Sequence, residues 1–336
     1  MSRSTENLPP LFVERLRRII PVNRWESVIR SFETPKPTTF RVNTLKAKTP
    51  AVRKQLSSAG FQTQRVAWYP DALILQSGRL RDLQETDLYR TGCIYVQSLP
   101  SMLPPLVLEP KPGETILDLT AAPGSKTTQI ACLMNGQGRL VANDNNKIRF
   151  FKLRANLEMQ AAGFVETTLR YGEAFGREFP NTFDRVLADV PCSAEGRFDA
   201  NDPKSFGFWK PMKVREMARK QKRLLYSAIQ ALKPGGVLVY STCTFAPEEN
   251  EAVIHWVLEK FGRAVSVEPV ALQLTNTAAG LSRWDKWEFN PAVRLTKRVL
   301  PGPEMEGFFL AKLRKHTETK QEGSFGSDEA GGRESK

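Results

Sequence analysis

Residues 114–261 alternate short apolar runs with longer stretches of helical character. The apolar runs, which are typical of strands, are ETILDLT, GRLVANDNN, VETTLR, FDRVLADV and GGVLVYSTC. Helices are predicted between them, over AAPGSKTTQIACLMN, Lys147–Gly163 and Met212–Leu232, and a further helix is predicted from Pro247. Regular alternation of strands and helices is the signature of a doubly wound parallel sheet with helices on both faces. We therefore predict an α/β fold for this part of the chain.

The residues on either side of this region have different patterns. Up to about residue 110, helices and short strands predict a small α+β domain, with helices over Leu11–Ile20 and Thr49–Gly60 and strands over Thr39–Leu45, ALIL and CIYV. Towards the carboxyl end, a loop-rich stretch over Gln273–Pro303 precedes a last strand, GFFLAKL. The tail from about His316 has almost no apolar residues and is expected to be disordered. The predicted divisions of the chain are therefore 1–110, 111–315 and 316–336.

Two polar segments follow predicted strands, and each brings one cysteine. The segment ADVPCSAEGRF contains Cys192 with Asp189 before it, and STCT contains Cys243. The carboxyl ends of parallel strands meet at the edge where open α/β sheets bind ligands. A single free cysteine is more often a small buried apolar residue. Two thiols at strand exits, with an aspartate beside the first, instead indicate nucleophilic chemistry at this edge.

The turn after the first strand, DLTAAPGSK over Asp118–Lys126, has the features of a binding loop for an anionic group. Gly124 permits close approach of the backbone, and free N–H groups at the start of the following helix suit a carboxylate. The spacing matches neither GxxxxGK[ST] nor GxGxxG, which disfavours a phosphate-binding loop and a nicotinamide cofactor. Asp144 ends the second strand, where doubly wound folds hold ribose hydroxyls. Together these features fit an amino-acid-bearing nucleoside, of which S-adenosylmethionine is the common example, but both residue types also occur there for structural reasons.

Basic residues outnumber acidic ones by 49 to 36, which gives a net charge of +13 and an isoelectric point near 9.7. An excess of this size favours a polyanionic partner, with nucleic acid first and a membrane surface second. Lys and Arg cluster at 149–154, 210–223 and 294–315, which predicts phosphate contacts. Phe206, Phe208 and Trp209 are interleaved with lysines. These aromatic side chains are candidates either to stack on an unpaired base or to anchor their loop on the core.

Several classes of protein are disfavoured by what the sequence lacks. No apolar run reaches 18 residues and the first residues lack the apolar core of a signal peptide, so no membrane partner and a cytoplasmic location are expected. The four cysteines, Cys93, Cys132, Cys192 and Cys243, form no CxxC pair, and only two histidines are present. We therefore expect no disulfide framework and no bound metal. A monomer is expected.

The sequence resembles the Fmu/Sun-type RNA cytosine-5 methyltransferases. The resemblance covers roughly Thr91–Phe261 through VQSLPSMLP, DLTAAPGSKTTQIA, ADVPCSAEGRF, LKPGGVLVYSTCT and PEENEAVI, and it returns at EGFFLAKLRK. It implies a Rossmann-like class I methyltransferase sheet preceded by a small α+β N-terminal domain that binds RNA. It also implies S-adenosylmethionine-dependent methylation of a cytosine in RNA, with ribosomal RNA favoured over tRNA. In that family Cys243 would be the nucleophile and Cys192 would help release product. The residues implied to line the cofactor and target-base site are Ala121, Ala122, Pro123, Gly124, Ser125, Lys126, Asp144 and Asp189.

The chain departs from the pattern of that family after the third strand. Where the family usually has an aspartate on the adenine side of the cofactor, the sequence has Arg170, Tyr171, Gly172 and Glu173. Either Glu173 substitutes, beside Gly172, or Tyr171 packs on the adenine. Some longer relatives have a second RNA-binding domain after the methyltransferase region, and none is expected from this sequence.

Two other functions remain open from the sequence. A DNA cytosine-5 methyltransferase would use the cysteine of PCS, Cys192, as its nucleophile, and the second cysteine in STCT argues against this alternative. A non-catalytic RNA-binding or ribosome-assembly factor on the same fold is the other alternative. The presence of both thiols together with Asp189 argues against it.

Overall fold

The computed structural model describes residues 4–319, which begin with three helices, α1 (Ser4–Asn7), α2 (Pro10–Ile19) and α3 (Trp25–Ser31). Helix α2 buries one apolar face that includes Phe12. The Phe12 ring lies 4.8 Å from the ring of Phe198 and 6.5 Å from that of Phe245, measured between centroids. Phe198 and Phe245 follow Cys192 and Cys243 closely in the chain. Helix α2 therefore packs against both cysteine-bearing segments through Phe12.

A small antiparallel sheet comes next. Its strands are hydrogen-bonded in the order β2-β3-β1-β4, with bounds β1 (Thr39–Val42), β2 (Thr63–Val66), β3 (Tyr69–Leu75) and β4 (Ile94–Val96). Apolar side chains of three helices complete its core, α4 (Thr49–Ser58), α5 (Leu80–Gln84) and α6 (Asp87–Arg90). The prediction of a small α+β N-terminal domain is confirmed.

The larger sheet contains nine strands within residues 4–319, in the order β11-β14-β15-β9-β8-β5-β6-β7, and β10 also pairs with β15. Strands β5 to β9 are parallel, whereas the pairings of β10, β11, β14 and β15 are antiparallel. The parallel strands are β5 (Thr115–Asp118), β6 (Arg139–Asn143), β7 (Glu166–Thr168), β8 (Phe183–Asp189) and β9 (Leu232–Thr242). The antiparallel strands are β10 (Val265–Glu268), β11 (Thr277–Ala279), β14 (Lys297–Val299) and β15 (Phe308–Lys315). A separate hairpin is formed by β12 (Arg283–Trp284) and β13 (Trp287–Glu288).

One helix precedes the larger sheet and the others connect its strands. They are α7 (Leu99–Leu108), α8 (Ser125–Leu133), α9 (Lys147–Met159), α10 (Phe175–Glu178), α11 (Pro211–Ala231) and α12 (Glu251–Phe261). The strand order reverses between β5, which continues to β6 on one side, and β8, which continues to β9 on the other. In open α/β sheets a crevice forms at such a point, beyond the carboxyl ends of the strands. The predicted Rossmann-like α/β fold is confirmed.

A buried arginine fixes the small domain against the larger one. Arg41 in β1 is fully buried and donates hydrogen bonds to the Ser125 carbonyl at 3.1 Å and the Thr128 hydroxyl at 2.6 Å. Both acceptors belong to the first turns of α8. The orientation of the small domain is therefore coupled to the turn that precedes α8.

Three local predictions differ from the structure. The helix predicted from Pro247 begins at Glu251, because Glu249 is held in a buried hydrogen-bond network described below. Helix α11 ends at Ala231, one residue before the predicted end, and β9 begins at Leu232, so that the KPGG sequence after the helix already belongs to the strand. The stretch expected to be loop-rich contains the short strands β11 to β14. The tail predicted to be disordered lies, beyond Thr319, outside the described residues.

Candidate active site

A cavity of ≈ 270 Å³ opens at the carboxyl edge of β5, β8 and β9. Its walls come from the turn after β5, the start of α7, the loops after β8 and β9, and residues 306–308. Seven of the residues predicted for the site line it, namely Ala121, Ala122, Pro123, Ser125, Lys126, Asp189 and Cys243. No helix within residues 4–319 is long and apolar enough to cross a membrane. The same residues contain no group of three His, Cys, Asp or Glu side chains arranged to hold a metal ion.

The turn between β5 and α8 exposes the start of a helix to this cavity. Gly124 precedes the helix with φ +105°, a conformation that other residues adopt only with strain. No side chain in the described part of the chain caps the helix, and Ser125 and Lys126 of its first turn line the cavity. The first N–H groups of a helix have no partner within it and carry the positive end of its dipole. The turn therefore presents backbone donors suited to a carboxylate.

Asp118, at the end of β5, was not among the predicted site residues. Its carboxylate accepts a hydrogen bond from the Thr127 hydroxyl at 2.6 Å, but its second oxygen, Oδ1, is buried without a partner among residues 4–319. Burial raises the pKa of Asp118 to about 7. A buried, unpaired carboxylate oxygen at the cavity wall is suited to a cationic ligand group. The rule that singled out Asp144, an acid at the end of a parallel strand, applies equally to Asp118.

Lys126 and Asp189 form an ion pair inside the cavity, with 2.6 Å between Nζ and Oδ2. The Ser241 hydroxyl donates to the other oxygen of Asp189 at 2.7 Å, and Lys126 also donates to the Ser101 hydroxyl at 2.9 Å. Both side chains are largely shielded from solvent. This arrangement fixes the carboxylate of Asp189 beside Cys243.

The two cysteines lie in contact, with 3.2 Å between the Sγ atoms of Cys192 and Cys243. The Cys243 backbone N–H also donates to the Cys192 sulfur at 3.3 Å. A hydrogen bond from the Cys192 thiol lowers the pKa of Cys243, and the charges of Arg197 and Lys126 act in the same direction. The same hydrogen bond and burial raise the pKa of Cys192 well above its usual range. The geometry therefore favours a Cys243 thiolate with Cys192 as its protonated neighbour.

Two buried glutamates tie the cysteine-bearing loops together. Glu195 accepts hydrogen bonds from the Thr244 hydroxyl at 2.9 Å and the Phe245 N–H at 3.1 Å. In the opposite direction, Glu249 accepts from the Ser193 N–H at 3.0 Å. Burial raises the pKa of both glutamates, that of Glu249 to about 8. These hydrogen bonds between the two loops were not predicted from the sequence, because their donors and acceptors are distant in the chain and meet only in the tertiary fold.

Gly124 and Cys192 are not among the residues that line the cavity, and neither are three further predicted cofactor residues. Asp144 is buried at the end of β6, where it accepts hydrogen bonds from the N–H groups of Ala122 at 3.2 Å and Asn146 at 2.9 Å. Gly172 lies against Leu224 of α11 and against Leu119, which directly follows β5. The Glu173 Oε2 atom is buried without a partner among residues 4–319. Asp144 thus contacts the turn between β5 and α8 through the N–H of Ala122, although it does not line the cavity. Direct contact of these three residues with a cofactor stays a prediction.

The structure sorts the predicted RNA-binding side chains into exposed and structural ones. Trp209 is buried and donates through Nε1 to Glu195 at 2.8 Å, and the partly buried Phe206 ring lies 5.7 Å from that of Phe198. Phe208, between them, is 53% exposed.

On α11 the cations Arg215, Arg219 and Arg223 are exposed. In the last basic cluster, by contrast, Arg298, Lys312, Arg314 and Lys315 are engaged in ion pairs or buried hydrogen bonds.

Comparison with known proteins gives two matching family descriptions. Residues 105–314 match the model described as 16S rRNA methyltransferase RsmB/F. Residues 8–80 match the ferredoxin-like domain described as Methyltr_RsmF/B-like. Together the two matches cover most of the chain.

Similar curated proteins and solved structures agree with these descriptions. Ribosomal RNA small subunit methyltransferase F of Vibrio campbellii is 37% identical over 314 residues, which span 92% of the chain and 64% of that protein. The tRNA (cytosine(49)-C(5))-methyltransferase of Pyrococcus abyssi is 40% identical over 291 residues, 84% of the chain and 89% of that protein. A crystal structure of a methyltransferase homologue from Pyrococcus horikoshii has a TM-score of 0.77 and 33% identity, covering 92% of the chain and 100% of that structure. The chain spans just under two thirds of the ribosomal RNA methyltransferase relatives it matches.

Proposed function

The chain belongs to the 16S rRNA methyltransferase RsmB/F family, and from this premise we propose that it methylates C5 of a cytosine in RNA. In this proposal S-adenosylmethionine is the methyl donor and Cys243 is the covalent nucleophile. The observation that carries the proposal is the contact of 3.2 Å between the Cys192 and Cys243 sulfurs, which come from the ends of different strands and sit beside the Asp189–Lys126 pair. A structural role for the sulfurs does not account for this ion pair at the same cavity.

The chain's own residues fit the proposed methyl donor. S-adenosylmethionine would supply an electrophilic methyl group on a sulfonium together with an ammonium, a carboxylate and a ribose. The uncapped start of α8 would hold the carboxylate, and the unpaired oxygen of Asp118 would accept from the ammonium. Asp144 would keep the turn in shape through its bond to the Ala122 N–H and would support the ribose side, with Glu173 near the adenine side. The departure from the family at Tyr171 leaves that last contact to Glu173 or Tyr171.

The cysteine pair supports covalent activation of the base. C5 of cytosine is a weak nucleophile, but addition of the Cys243 thiolate to C6 makes C5 electron-rich enough to attack a methyl group. The hydrogen bond from Cys192 and the positive charges nearby favour the thiolate of Cys243. Asp189, held by Lys126 and Ser241, would stabilise protonation of the ring at N3 or at the exocyclic amine during attack.

Product release then requires loss of the C5 proton and elimination of the Cys243 thiolate. Cys192 lies 3.2 Å from the Cys243 sulfur and is a thiol because its pKa is raised. It would donate a hydrogen bond to that sulfur as the C6–S bond breaks and Cys243 leaves as the thiolate, while the C5 proton passes to a solvent base. We assign to it the role of assisting this elimination. Two sulfurs with opposite pKa shifts thus perform two different steps, attack and release.

Ribosomal RNA is the first substrate that we propose to test, and tRNA is the second. Similar proteins are named as methyltransferases of ribosomal RNA in one case and of tRNA in the other. We propose that residues 1–110 and the exposed face of α11 bind the RNA, with Phe208 as a stacking platform for an unpaired base. All four cysteines are free, which fits a reducing cytoplasm. The catalytic residues all fall within the proposed division 111–315.

A direct test is methyl transfer from labelled S-adenosylmethionine to purified ribosomal RNA or tRNA lacking 5-methylcytidine. Mass spectrometry of the digested nucleosides should detect 5-methylcytidine with the wild-type protein. Asp189→Asn, which keeps the shape of the side chain but loses its charge, serves as the comparison. Methylation of a base other than cytosine, or at a position other than C5, would refute the proposal.

A further inference from the structure

Two charged side chains at the cavity wall, Arg197 and Glu306, have no hydrogen bond or ion pair within residues 4–319. The two other cations of the cavity wall are engaged. Lys126 pairs with Asp189 at 2.6 Å, and Arg149 lies 3.6 Å from Asp144. An exposed guanidinium facing a binding cavity without a partner is free to bind an anion from outside the protein.

The backbone fixes Arg197 at a set place relative to Cys243. The N–H of Gly196 donates to the Cys243 carbonyl at 2.9 Å, and the N–H of Gly307 donates to the Gly196 carbonyl at 3.3 Å. A Cβ atom at Gly196 would lie 2.2 Å from the Gly307 oxygen, so only glycine allows this approach. Glu195 and Phe198, which flank this turn in the chain, are both buried and anchor it to the core. Arg197 therefore follows a rigid contact and does not belong to a freely moving loop.

This position matches the chemistry of a nucleotide whose base enters the cavity. A base that reaches Cys243 has to leave the stack, while its phosphates stay at the rim with the rest of the backbone. Arginine suits this place because its planar fork donates two parallel hydrogen bonds to phosphate oxygens. We propose that Arg197 binds a phosphate adjacent to the target nucleotide and so holds that nucleotide over Cys243. This inference rests on the proposed function.

Glu306 supplies a built-in comparison. It precedes Gly307 just as Arg197 follows Gly196, so the hydrogen bond between the two glycines places both charges at the same rim. A phosphate at this rim is attracted by Arg197 and repelled by Glu306. Glu306→Gln should therefore leave RNA affinity unchanged or increase it, whereas Arg197→Gln should decrease it.

The first experiment measures binding of a single-stranded, cytidine-containing RNA oligonucleotide by fluorescence anisotropy over a range of salt concentrations. Arg197→Gln should weaken binding about ten- to hundredfold, the range for a hydrogen bond to a charged group. It should also lower the slope of log affinity against log salt by about 0.7 to 1. Arg263→Gln is the matched control, since Arg263 is exposed just before β10, at the opposite edge of the sheet. An affinity and slope for Arg197→Gln equal to those of the control would overturn the inference.

The second experiment identifies the phosphate, using an RNA that the wild-type protein methylates at a mapped cytosine. Neutral methylphosphonate linkages replace, one at a time, the phosphates on either side of that cytosine. At the linkage that Arg197 contacts, the replacement should weaken binding of the wild type as much as Arg197→Gln weakens binding of the unmodified RNA. The same replacement should not weaken binding of Arg197→Gln any further. Losses that add at both linkages would contradict a contact between Arg197 and either phosphate.

These outcomes separate the inference from the proposed function. If the wild type methylates no RNA, the proposed function fails, while the binding experiment still reports on Arg197. Arg197→Gln could instead bind RNA with unchanged affinity and show a shifted pH profile of turnover. Arg197 would then act on the Cys243 thiolate and not on phosphate, and the inference would be wrong. Arg197→Lys, which keeps the charge but loses the fork, should bind with intermediate affinity.

Discussion

The carboxylate of Glu195 and the Thr244 hydroxyl are joined by a hydrogen bond of 2.9 Å, which links the loop of Cys192 to the loop of Cys243. Glu249 makes the reverse connection to the Ser193 N–H at 3.0 Å. Each loop therefore supplies one buried acid that accepts from the other loop. This reciprocity holds the two sulfurs in contact although 51 residues separate them in the chain. The proposed reaction needs such support for two reacting groups on separate loops, since small displacements of reacting groups cost large factors in rate.

Glu249→Gln should make the stability of the protein less dependent on pH. The pKa of Glu249 is raised to about 8 by burial, whereas in the unfolded chain it returns to the ordinary value of 4.5. Between these values the folded state binds more protons, so the stabilisation is fully present below about pH 4.5 and is lost as pH rises towards 8. Urea unfolding at pH 5.5 and pH 8 should show a smaller decrease in the free energy of unfolding for Glu249→Gln than for the wild type.

Glu216→Gln provides the control for this measurement, because Glu216 is an exposed surface residue. It should retain the full pH dependence of the wild type. Asp118, whose pKa is also raised, contributes in the same direction, so the slope should fall only in part. An unchanged slope in Glu249→Gln would mean that Glu249 is ionised in the folded protein.

Asp144→Ala should weaken binding of S-adenosylmethionine by about 1–3 kcal/mol, because the N–H of Ala122 loses its acceptor and the cofactor turn loses support. Asp144→Asn keeps one acceptor oxygen and should weaken binding less. Isothermal titration calorimetry with the purified protein measures both affinities. Equal affinities in wild type and Asp144→Ala would remove Asp144 from the cofactor site.

Charge reversal at Arg219, Lys220 and Arg223 on α11 should flatten the dependence of RNA affinity on salt concentration. These residues make no ion pair within residues 4–319, so they are available to displace counterions from phosphates. Filter binding between about 50 and 200 mM salt gives the slope for wild type and variant. If the slope is the same in both, this face of α11 is a solvated surface and the RNA lies elsewhere.

The sequence predicts the site best where a single strand determines a residue's place. Cys192, Asp189 and Cys243 follow apolar runs, and strand ends of a parallel sheet converge on one edge, so their meeting follows from the periodicity alone. The strand-end rule applies to Asp118 as well, but that its Oδ1 atom is buried and unpaired could not be predicted, because this depends on tertiary packing such as the contact of Thr127 in α8 with the other oxygen. Local signals also predicted too early a start for α12. There the partners of Glu249, which come from residues 193 and 221, determine where the backbone becomes helical.

Side chains on loops were the least predictable. Phe206, Phe208 and Trp209 are equivalent by composition, yet only Phe208 is exposed, because Glu195 binds the Trp209 ring and Phe198 packs against Phe206. Nothing in the local sequence specifies these partners. For the same reason a cluster of cations near the carboxyl terminus indicated RNA binding, while Arg298 in fact forms a buried ion pair with Glu251. Net charge reports on the surface as a whole and not on the role of each residue.

The two cysteines should be separable by a covalent trapping experiment. Cys243→Ala removes the sulfur that would add to C6, so it should abolish methyl transfer and leave cofactor binding intact. Cys192→Ala keeps that sulfur and loses the neighbour that assists elimination. It should methylate at most once and then remain attached to its RNA. A denaturing gel with labelled RNA and S-adenosylmethionine should therefore show a slowly migrating protein–RNA band for Cys192→Ala and none for Cys243→Ala.

The loss of the Cys192 thiol has a second consequence that the same variants can measure. Since the Cys192 hydrogen bond lowers the pKa of Cys243, alkylation of Cys243 by iodoacetamide should shift to higher pH in Cys192→Ala. Cys93→Ala is the control, because Cys93 lies in the small domain away from the cavity. A covalent band for Cys243→Ala instead of Cys192→Ala would reverse the assignment, with Cys192 as the nucleophile, as in DNA cytosine-5 methyltransferases. The opposite pKa shifts of the two sulfurs argue for Cys243, since attack on C6 requires the thiolate that forms more readily.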